Sequence, residues 1–166
     1  MPAYLTFDIG TTALKTALVG DDGHVPAAHE VDYTPRHPRP NYVEMDPGEY
    51  WQAAVEGAKT VVDDPADICA IGFGSQGQSF VSLDEHDMPL REAIVWVDNR
   101  AQDLADRWAD EWLDADEYRR ICGYPWVPAG LTLFKIGWLA ENEPEGHNAA
   151  HHLCLPDYLI YRLTGH

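Results

Sequence analysis

The pattern that most restricts the fold lies at the start of the chain. An alternating apolar run ends at Asp8, and a second apolar run begins after Lys15; the turn between them contains Gly10, Thr11 and Thr12. This order predicts a β-hairpin whose turn can approach phosphate, because glycine permits close backbone contact and amide and hydroxyl groups donate to phosphate oxygens. The lysine adds positive charge, and the carboxylate can hold Mg²⁺ through water. The alternative is an ordinary tight turn, since Asp, Gly and Thr are common turn residues.

The charge of the chain disfavours whole classes of partner. There are 28 acidic residues against 11 basic ones, a net charge of −17, so non-specific binding to nucleic acid or to an anionic membrane is not expected. The acidic residues are scattered, which indicates either a well-solvated surface or adaptation to a cytoplasm with molar salt; their abundance beside scarce lysine favours the second. Three widely spaced cysteines, two of them in strands predicted to be buried, predict no disulfide framework. We therefore expect a cytoplasmic protein without a transmembrane helix or signal peptide.

Hydrophobic periodicity predicts an α/β domain with layered strands and helices. A proline-rich loop, residues 34–47, follows the third strand and cannot be helix or central strand. The predicted strands are Ala3–Asp8, Ala13–Val19, Val25–Tyr33, Ile68–Phe73, Phe80–Leu83, Ala93–Val97 and Leu153–Leu155. The predicted helices are Gly48–Val62, Arg100–Trp112, Thr132–Asn142, stopped by Pro144, and Pro156–Leu163.

The opening hairpin and five later segments together resemble the FGGY carbohydrate kinases. Segment 130–142, G-L-T-L-F-K-I-G-W-L-A-E-N, is similar to a family signature in which Thr, Lys and Trp recur at fixed spacing. Segments 71–84 and 93–100 resemble sugar-site segments of the family's first domain. Segment 155–165 resembles L-P-x-D-Y-L-x-x-R-L-T-G with one residue missing before the Asp, and segment 44–51 resembles E-x-D-P-x-x-x-W. The similarity is greatest to xylulokinase-like members.

The resemblance implies the fold and the reaction. It implies a ribonuclease-H-like, actin-like ATPase domain, the first of two with a cleft between them, and transfer of the ATP γ-phosphoryl group to a sugar hydroxyl with Mg²⁺. Residues 1–166 would be this first domain, with an insertion at about 76–150 that carries sugar-site segments. The family's catalytic aspartate lies downstream, so no catalytic residue is predicted here. The exposed half-cleft would accept the C-terminal domain or a second copy in a homodimer.

The resemblance also implies which residues bind the donor. The hairpin group would face the β- and γ-phosphates and Mg²⁺, with Asp8 holding the metal through water; the group is Asp8, Gly10, Thr11, Thr12 and Lys15.

Two further segments are candidates for binding the sugar. Gln76, Gly77 and Gln78 follow a strand predicted to be buried, where α/β sheets gather ligands, and amides can hydrogen-bond hydroxyls; the alternative is a polar loop. Xylulokinases usually have Met-His at the last two positions, so the identity of the sugar stays open. The second segment contains Trp96, Asp98 and Arg100, which alternate along a predicted extended stretch and would share a face.

The roles within the second segment have two interpretations. The Trp96 ring would pack on the apolar side of the sugar, while Asp98 and Arg100 would bind hydroxyls or only each other. Lys135 of the signature would contact ligand or pair with an acid. Trp108, Trp112 and Trp138 have the helical spacing of core residues, and His151-His152 beside Cys154 is a poor metal site because strand neighbours point to opposite faces.

Two other functions compete with a sugar kinase. One is a different actin-like ATPase, such as a chaperone or filament protein, which would share the hairpin but lack the signature at 130–142. The other is a truncated non-catalytic fragment or binding module.

Overall fold

The computed structural model describes residues 2–111, 114–143 and 148–166. Trp112 and Pro144, assigned above to the core and to a helix end, lie outside the described residues. The strands are β1 (Ala3–Ile9), β2 (Ala13–Gly20), β3 (Ala27–Asp32), β4 (Glu44–Met45), β5 (Ile68–Ser75), β6 (Phe80–Leu83), β7 (Ala93–Ile94) and β8 (His151–Cys154). The helices are α1 (Pro47–Val61), α2 (Gln102–Glu111), α3 (Ala115–Cys122), α4 (Thr132–Asn142) and α5 (Leu155–Thr164).

The first sheet has the strand order β3-β2-β1-β5, with β1 paired antiparallel to β2 and parallel to β5. Along β1 the side chains alternate, so that Leu5, Phe7 and Ile9 are buried on one face. The opposite face carries Tyr4 and Asp8 and is open. Strand β1 is therefore an inner strand of this sheet, and its C-terminal end leads directly into the hairpin turn.

The second sheet has the order β4-β7-β6-β8, and all its pairings are antiparallel. Strands β6 and β7 fall inside the segment 76–150, but they pair with β4 and β8, which lie outside it. This segment therefore shares a sheet with the parts of the chain that flank it. The main hydrophobic core joins both sheets to α1 and α5.

The helices begin and end where local chemistry permits. Asp46 caps α1 by accepting a hydrogen bond of 2.7 Å from Gly48 N, and Pro47 supplies a preformed first turn. Helix α3, which the sequence patterns did not predict, is capped by Asp114 and ends at Gly123 in the left-handed conformation (φ 76°). Within the described residues no helix has both the length and the apolar content needed to cross a membrane.

Two predictions about elements are wrong. The strand expected at Ala93–Val97 ends at Ile94, because the chain turns there and Asp98 N donates to Val95 O at 3.0 Å. Strand β5 is not buried, since it forms the edge of the first sheet, and both its Cys69 and its Ile71 are exposed. The proline-rich loop contains the short strand β4, which lies at the edge of the second sheet and therefore agrees with the prediction that this loop forms no central strand. The remaining predicted strands and helices occur with ends shifted by at most a few residues.

Candidate functional site

The hairpin turn between β1 and β2 is closed by its own backbone. Gly10 N donates to Ala13 O at 2.9 Å, and a Cβ at position 10 would lie only 2.8 Å from that oxygen, so the turn requires glycine. The Tyr33 hydroxyl donates to Gly10 O at 2.7 Å and fixes the turn from β3's end. The amide of Gly10 is therefore used within the turn and does not face a ligand.

Several polar groups at the turn have no partner among the described residues. The amides of Thr11 and Thr12, the Thr12 hydroxyl and the Lys15 ammonium donate to no described group, and the Asp8 carboxylate has neither a hydrogen bond nor an ion pair. Asp8 and Lys15 are cross-strand neighbours on the open face of the first sheet, and both are exposed. Four donors and one acceptor thus lie together around a tip that is open to solvent.

Gln76 connects this tip to the end of β5. Its amide oxygen accepts a hydrogen bond of 2.8 Å from the Thr11 hydroxyl, and its amide nitrogen donates to Gly10 O at 3.0 Å. Its backbone N–H also donates to Ile9 O at 3.0 Å. The structure therefore brings the turn and the 76–78 loop together through the Gln76 side chain, which the sequence predicts to bind the sugar.

Gln78 caps helix α4. Its Oε1 accepts hydrogen bonds from Thr132 N at 2.9 Å and from the Thr132 hydroxyl at 3.0 Å. The cap residue of α4, Leu131, has no side-chain acceptor, so Gln78 supplies one from a distant part of the chain. Gln78 holds a left-handed backbone (φ 69°), whereas Gly77 beside it is exposed, with open space where a side chain would stand.

Asp98 and Arg100 form a buried ion pair. Their side chains have no exposed surface, and Arg100 Nη2 lies 2.8 Å from Asp98 Oδ2. That oxygen also accepts a 2.6 Å hydrogen bond from Val43 N, and Arg100 Nη2 donates to Glu44 Oε1 at 2.6 Å. The pair fixes the proline-rich loop against the second sheet, which favours its structural interpretation over direct contact with a sugar.

Trp96 does not share a face with this pair. The chain turns at 95–98, so the predicted alternation along an extended segment is wrong. The indole of Trp96 is 45% exposed, and its Nε1–H donates to the Thr11 hydroxyl at 2.9 Å. Trp96 therefore belongs with the hairpin tip and the solvent-facing cleft.

Lys135 forms an ion pair with none of the described acids. It is completely buried, and its Nζ donates to three backbone carbonyls: Val95 O at 2.9 Å, Trp96 O at 3.1 Å and, more weakly, Gln78 O at 3.5 Å. Burial lowers the pKa of Lys135 to about 8, with the charge of Asp98 opposing that shift. The lysine ties together the two loops that carry the candidate sugar residues.

A cleft of about 480 Å³ opens beside Trp96. Its described lining includes three aromatic and three amide side chains, namely Trp96, Tyr124, Trp126, Gln78, Asn99 and Gln102. Sequence reasoning missed four of these: Asn99, Gln102, Tyr124 and Trp126. The aromatic-proline run at 124–128 was the signal, because exposed aromatic rings with amides nearby suit the mixed apolar and hydroxylated surface of a sugar.

The remaining candidates have structural environments. Trp108 and Trp138 are half-buried and pack on the two smaller core clusters. His152 hydrogen-bonds Ser82 across the strands at 2.9 Å, while His151 is exposed. In the part of the chain that the structure describes, no three His, Cys, Asp or Glu residues lie close enough to hold a metal ion.

Comparison with known proteins identifies the family. The model of the FGGY family of carbohydrate kinases, N-terminal domain, matches residues 3–166. A xylulose kinase of Staphylococcus xylosus is 32% identical over 99% of this chain and 34% of its own length. The ligand-bound structure of a xylulose kinase from Lactobacillus acidophilus aligns with a TM-score of 0.87 at 26% identity, over 99% of this chain and 34% of that one. A gluconate kinase structure from the same organism aligns with the same TM-score and identity, over 99% of this chain and 33% of that one.

The chain thus spans about a third of the length of the relatives it matches. The match covers the hairpin, the cleft and the signature at 130–142, and it distinguishes the chain from chaperone or filament ATPases that share only the actin-like fold. From the family match over nearly every residue and from the shared fold, this chain belongs to the FGGY family of carbohydrate kinases.

Proposed function

We propose that this chain forms the first domain of an ATP-dependent carbohydrate kinase and binds the phosphate end of ATP together with the acceptor sugar. One observation carries the proposal: the hairpin tip, whose remaining donors and carboxylate have no partner among the described residues, is hydrogen-bonded through the Thr11 hydroxyl to Trp96 of an aromatic and amide-lined cleft. Phosphoryl transfer needs a donor and an acceptor held side by side, and little covalent chemistry from the protein.

The hairpin tip has the groups needed for the β- and γ-phosphates. The amides of Thr11 and Thr12 and the Thr12 hydroxyl would donate to phosphate oxygens, and Lys15 would add charge. Gly10 shapes the turn. The single carboxylate of Asp8, exposed and unpaired among the described residues, fits Mg²⁺, which keeps most of its water and needs only one or two protein carboxylates. When bound, Mg²⁺ neutralises the charge that develops on the transferring phosphoryl group.

The cleft has the groups needed for a polyhydroxylated acceptor. The Trp96 ring offers a face for the apolar side of a sugar, and the amides of Gln78, Asn99 and Gln102 can pair with hydroxyls as donors and acceptors. Asp98 and Arg100 support the cleft from beneath, and Gln76 holds its edge to the hairpin. A pentulose such as xylulose is our proposed acceptor class.

The rest of the kinase would complete the site. We assign residues 1–166 to the N-terminal domain, with sugar-site segments at about 76–150, and place the base that accepts the hydroxyl proton and the adenosine-binding loops in a C-terminal domain. The open face of the first sheet beside Asp8 and Lys15 borders a groove of about 620 Å³ in which that domain or a second copy would pack. The high acidic charge favours a cytoplasm rich in salt.

The proposal is tested with a chain extended through the second domain. ADP release is measured with ATP, Mg²⁺ and a panel of ketoses and aldonates, for the wild type and for Asp8→Asn. The variant should lower kcat much more than it raises the sugar KM, because Asp8 acts on the phosphoryl group. Asp21→Asn, an exposed acid at the far end of β2, is the matched control. Equal kcat for Asp8→Asn and wild type would remove Asp8 from the site, and no sugar-dependent turnover would reject the kinase assignment.

A further inference from the structure

We propose that Trp96 is a positioning residue that sets the distance between the acceptor cleft and the phosphate hairpin through a relay of hydrogen bonds. The relay runs from the indole Nε1–H of Trp96 to the Thr11 hydroxyl and from that hydroxyl to the Gln76 amide. The inference rests on the proposed function for its consequence in catalysis, but the relay itself is a property of this chain and can be tested without turnover.

The direction of each hydrogen bond in the relay follows from the chemistry of its groups. Indole nitrogen is a donor only, so the 2.9 Å contact makes the Thr11 oxygen the acceptor. The same hydroxyl then has its single proton for Gln76 Oε1, at 2.8 Å. The Gln76 Nε2 donates to Gly10 O at 3.0 Å, which returns the chain of bonds to the hairpin backbone. Because the Thr11 proton is committed to Gln76, the Thr11 side chain acts as a connector, and the Thr12 hydroxyl is the one free for phosphate.

The backbone of Trp96, at the end of the relay next to the cleft, is also held by hydrogen bonds. Trp96 N donates to the hydroxyl of Ser79, a fully buried residue, at 2.8 Å, and Trp96 O accepts from the buried Lys135 at 3.1 Å. A Cβ at Gly130 would lie 3.2 Å from the same carbonyl oxygen, so the chain just before α4 also packs closely against the Trp96 backbone. Because these contacts fix the backbone of Trp96 on both sides, the indole ring cannot shift together with the hairpin.

The arrangement has a consequence for the reaction. The Trp96 ring lines the cleft where the sugar would lie, while its nitrogen reaches the turn that would hold the phosphates. A sugar placed on that ring is therefore placed relative to the phosphate site, and alignment of the reacting atoms is the main contribution a protein makes to phosphoryl transfer. Breaking the relay should leave both binding sites present but less well aligned.

Three substitutions isolate the relay. Trp96→Phe keeps an aromatic face, although a smaller one, and removes the indole donor. Thr11→Val keeps a β-branched side chain of nearly the same shape and removes the hydroxyl. Thr11→Ser restores the hydroxyl and is the matched control for Thr11→Val. Because Trp96 is 45% exposed and Thr11 is only half-buried, none of the three substitutions opens a cavity in the core, and the fold should persist.

The first measurement uses the 166-residue chain and its ¹H–¹⁵N indole resonances. Trp96→Phe identifies the Trp96 cross-peak among those of the six tryptophans. In Thr11→Val that cross-peak should move upfield and its proton should exchange faster with water, whereas Thr11→Ser should leave it near its wild-type position. An unchanged Trp96 cross-peak in Thr11→Val would overturn the relay, whatever the enzyme does.

The second measurement uses the chain extended through the second domain, with ATP, Mg²⁺ and D-xylulose. Trp96→Phe should lower kcat about three- to tenfold, the effect of one lost hydrogen bond, with the KM for ATP little changed because Trp96 contacts no phosphate. The double variant Trp96→Phe/Thr11→Val should be no slower than Thr11→Val alone, since Thr11→Val already removes the Trp96–Thr11 bond that Trp96→Phe breaks. Multiplicative losses would show independent roles and overturn the coupling. Absence of all turnover beside a normal relay in the spectrum would reject the kinase function and leave the relay standing.

Discussion

At the level of single residues, Lys135 has the most unusual surroundings. Its ammonium group is completely buried and bonds to the carbonyls of the two loops that form the cleft, with no carboxylate among its hydrogen-bond partners. A buried cation that crosslinks carbonyls orders the loops in the way a bound metal ion would, but it costs the desolvation of a full charge. The lowered pKa, about 8, is the measure of that cost.

The buried charge of Lys135 predicts an unusual dependence of stability on pH. Its folded pKa of about 8 lies below the 10.5 of an unperturbed lysine. Between these values the unfolded chain binds a proton that the folded chain has lost, so the free energy of unfolding should rise with pH, by at most about 1.4 kcal/mol per unit. Over the whole window the gain is about 3 kcal/mol. Denaturant titrations from about pH 8 to pH 10 should show this rise in the wild type and not in Lys135→Met.

Two buried tyrosines limit the pH range over which this measurement can be interpreted. Burial raises the pKa of Tyr33 and of Tyr50, so above about pH 10 both proteins should lose stability as the unfolded tyrosines ionise. Because that loss is common to the wild type and to Lys135→Met, the difference between them isolates the lysine. A parallel pH profile for the two proteins would show that Lys135 does not titrate in this range.

Gln78 caps α4, and two substitutions can separate this contact from its proposed contact with the sugar. Its Oε1 caps α4, and its Nε2 is left for the cleft. Gln78→Glu keeps an acceptor at the helix N-terminus, where negative charge is favourable, and loses the donor. In the extended kinase it should raise the sugar KM about two- to tenfold, equivalent to one hydrogen bond, without lowering the melting temperature. Gln78→Ala should raise KM and also destabilise the chain by about 1 kcal/mol. A KM change in ATP alone would remove Gln78 from the sugar site.

At the level of elements, α1 packs on β2 through a contact that only glycine permits. A Cβ at Gly57 would lie 2.1 Å from Thr16 Oγ1 and 2.8 Å from Thr16 Cβ. The close approach brings the helix against the strand that continues from the hairpin, so it supports the position of the turn. Thr16 Oγ1 is itself buried without a hydrogen-bond partner among the described residues, which indicates that helix packing dominates at this position.

Gly57→Ala should therefore destabilise the domain in spite of the better helix propensity of alanine. The propensity gain is about 1 kcal/mol, whereas forcing a methyl group into a filled contact typically costs 1–3 kcal/mol and more when backbone must shift. Chemical denaturation should show a net loss, and Thr16→Ala/Gly57→Ala should recover part of it. Gln52→Ala, on the exposed side of α1, is the control and should change stability by less than about 0.5 kcal/mol. A Gly57→Ala protein as stable as wild type would mean that helix and strand can separate without cost.

The elements that could be predicted are those specified by local sequence. The hairpin, α1 and α4 follow from alternation, an Asp-Pro start and helical spacing, and the structure confirms them. Helix α3 was missed because it is short, polar and without a buried residue, so its caps carry the only signal. Strand β7 was predicted too long because the chain turns after Ile94, where Val95 O accepts from Asp98 N and from Lys135, which lies far along the chain.

The same limit applies to the candidate site. The hairpin and residues 76–78 could be identified from the sequence as candidate site segments. The hydrogen-bond partners of their side chains could not be predicted. Gln76 binds the hairpin and Gln78 caps a helix 54 residues away, because the neighbouring backbone groups needed partners that no local residue supplies. A sequence pattern identifies a polar loop near a ligand; which of its amides remains free is set by tertiary contacts.

At the level of the whole molecule, the net charge of −17 should make stability depend on salt. Like charges on the surface repel one another, and salt weakens this repulsion. The screening length falls from about 10 Å at 0.1 M to about 3 Å at 1 M. The melting temperature should rise as KCl increases over this range. Sucrose at matched osmolality is the control for general exclusion from the protein surface. A melting temperature that is flat in KCl, or that rises equally in sucrose, would contradict adaptation to high salt.

The composition of the cleft leads to a prediction for the isolated chain. Its described lining contains aromatic, amide and aliphatic groups, and neither a carboxylate nor a histidine. The first carboxylate after Trp96 in the sequence is that of Asp98. It has no exposed surface and is paired with Arg100. No described group at the cleft is therefore placed to accept the proton of a sugar hydroxyl, although the hairpin could still hold the phosphate end of ATP.

The 166-residue chain alone should therefore release no ADP in a sugar-dependent way. Loss of a positioned general base typically costs 10²–10⁴-fold, and an open half-cleft also admits water and leaves donor and acceptor unaligned. The assay compares the purified chain, with ATP, Mg²⁺ and ketoses, against the chain extended through the second domain at equal concentration. Asp8→Asn in the short chain controls for contaminating ATPase, because any genuine background should depend on Asp8. Sugar-dependent turnover by the short chain comparable to that of the extended one would show that a complete catalytic site lies within these residues.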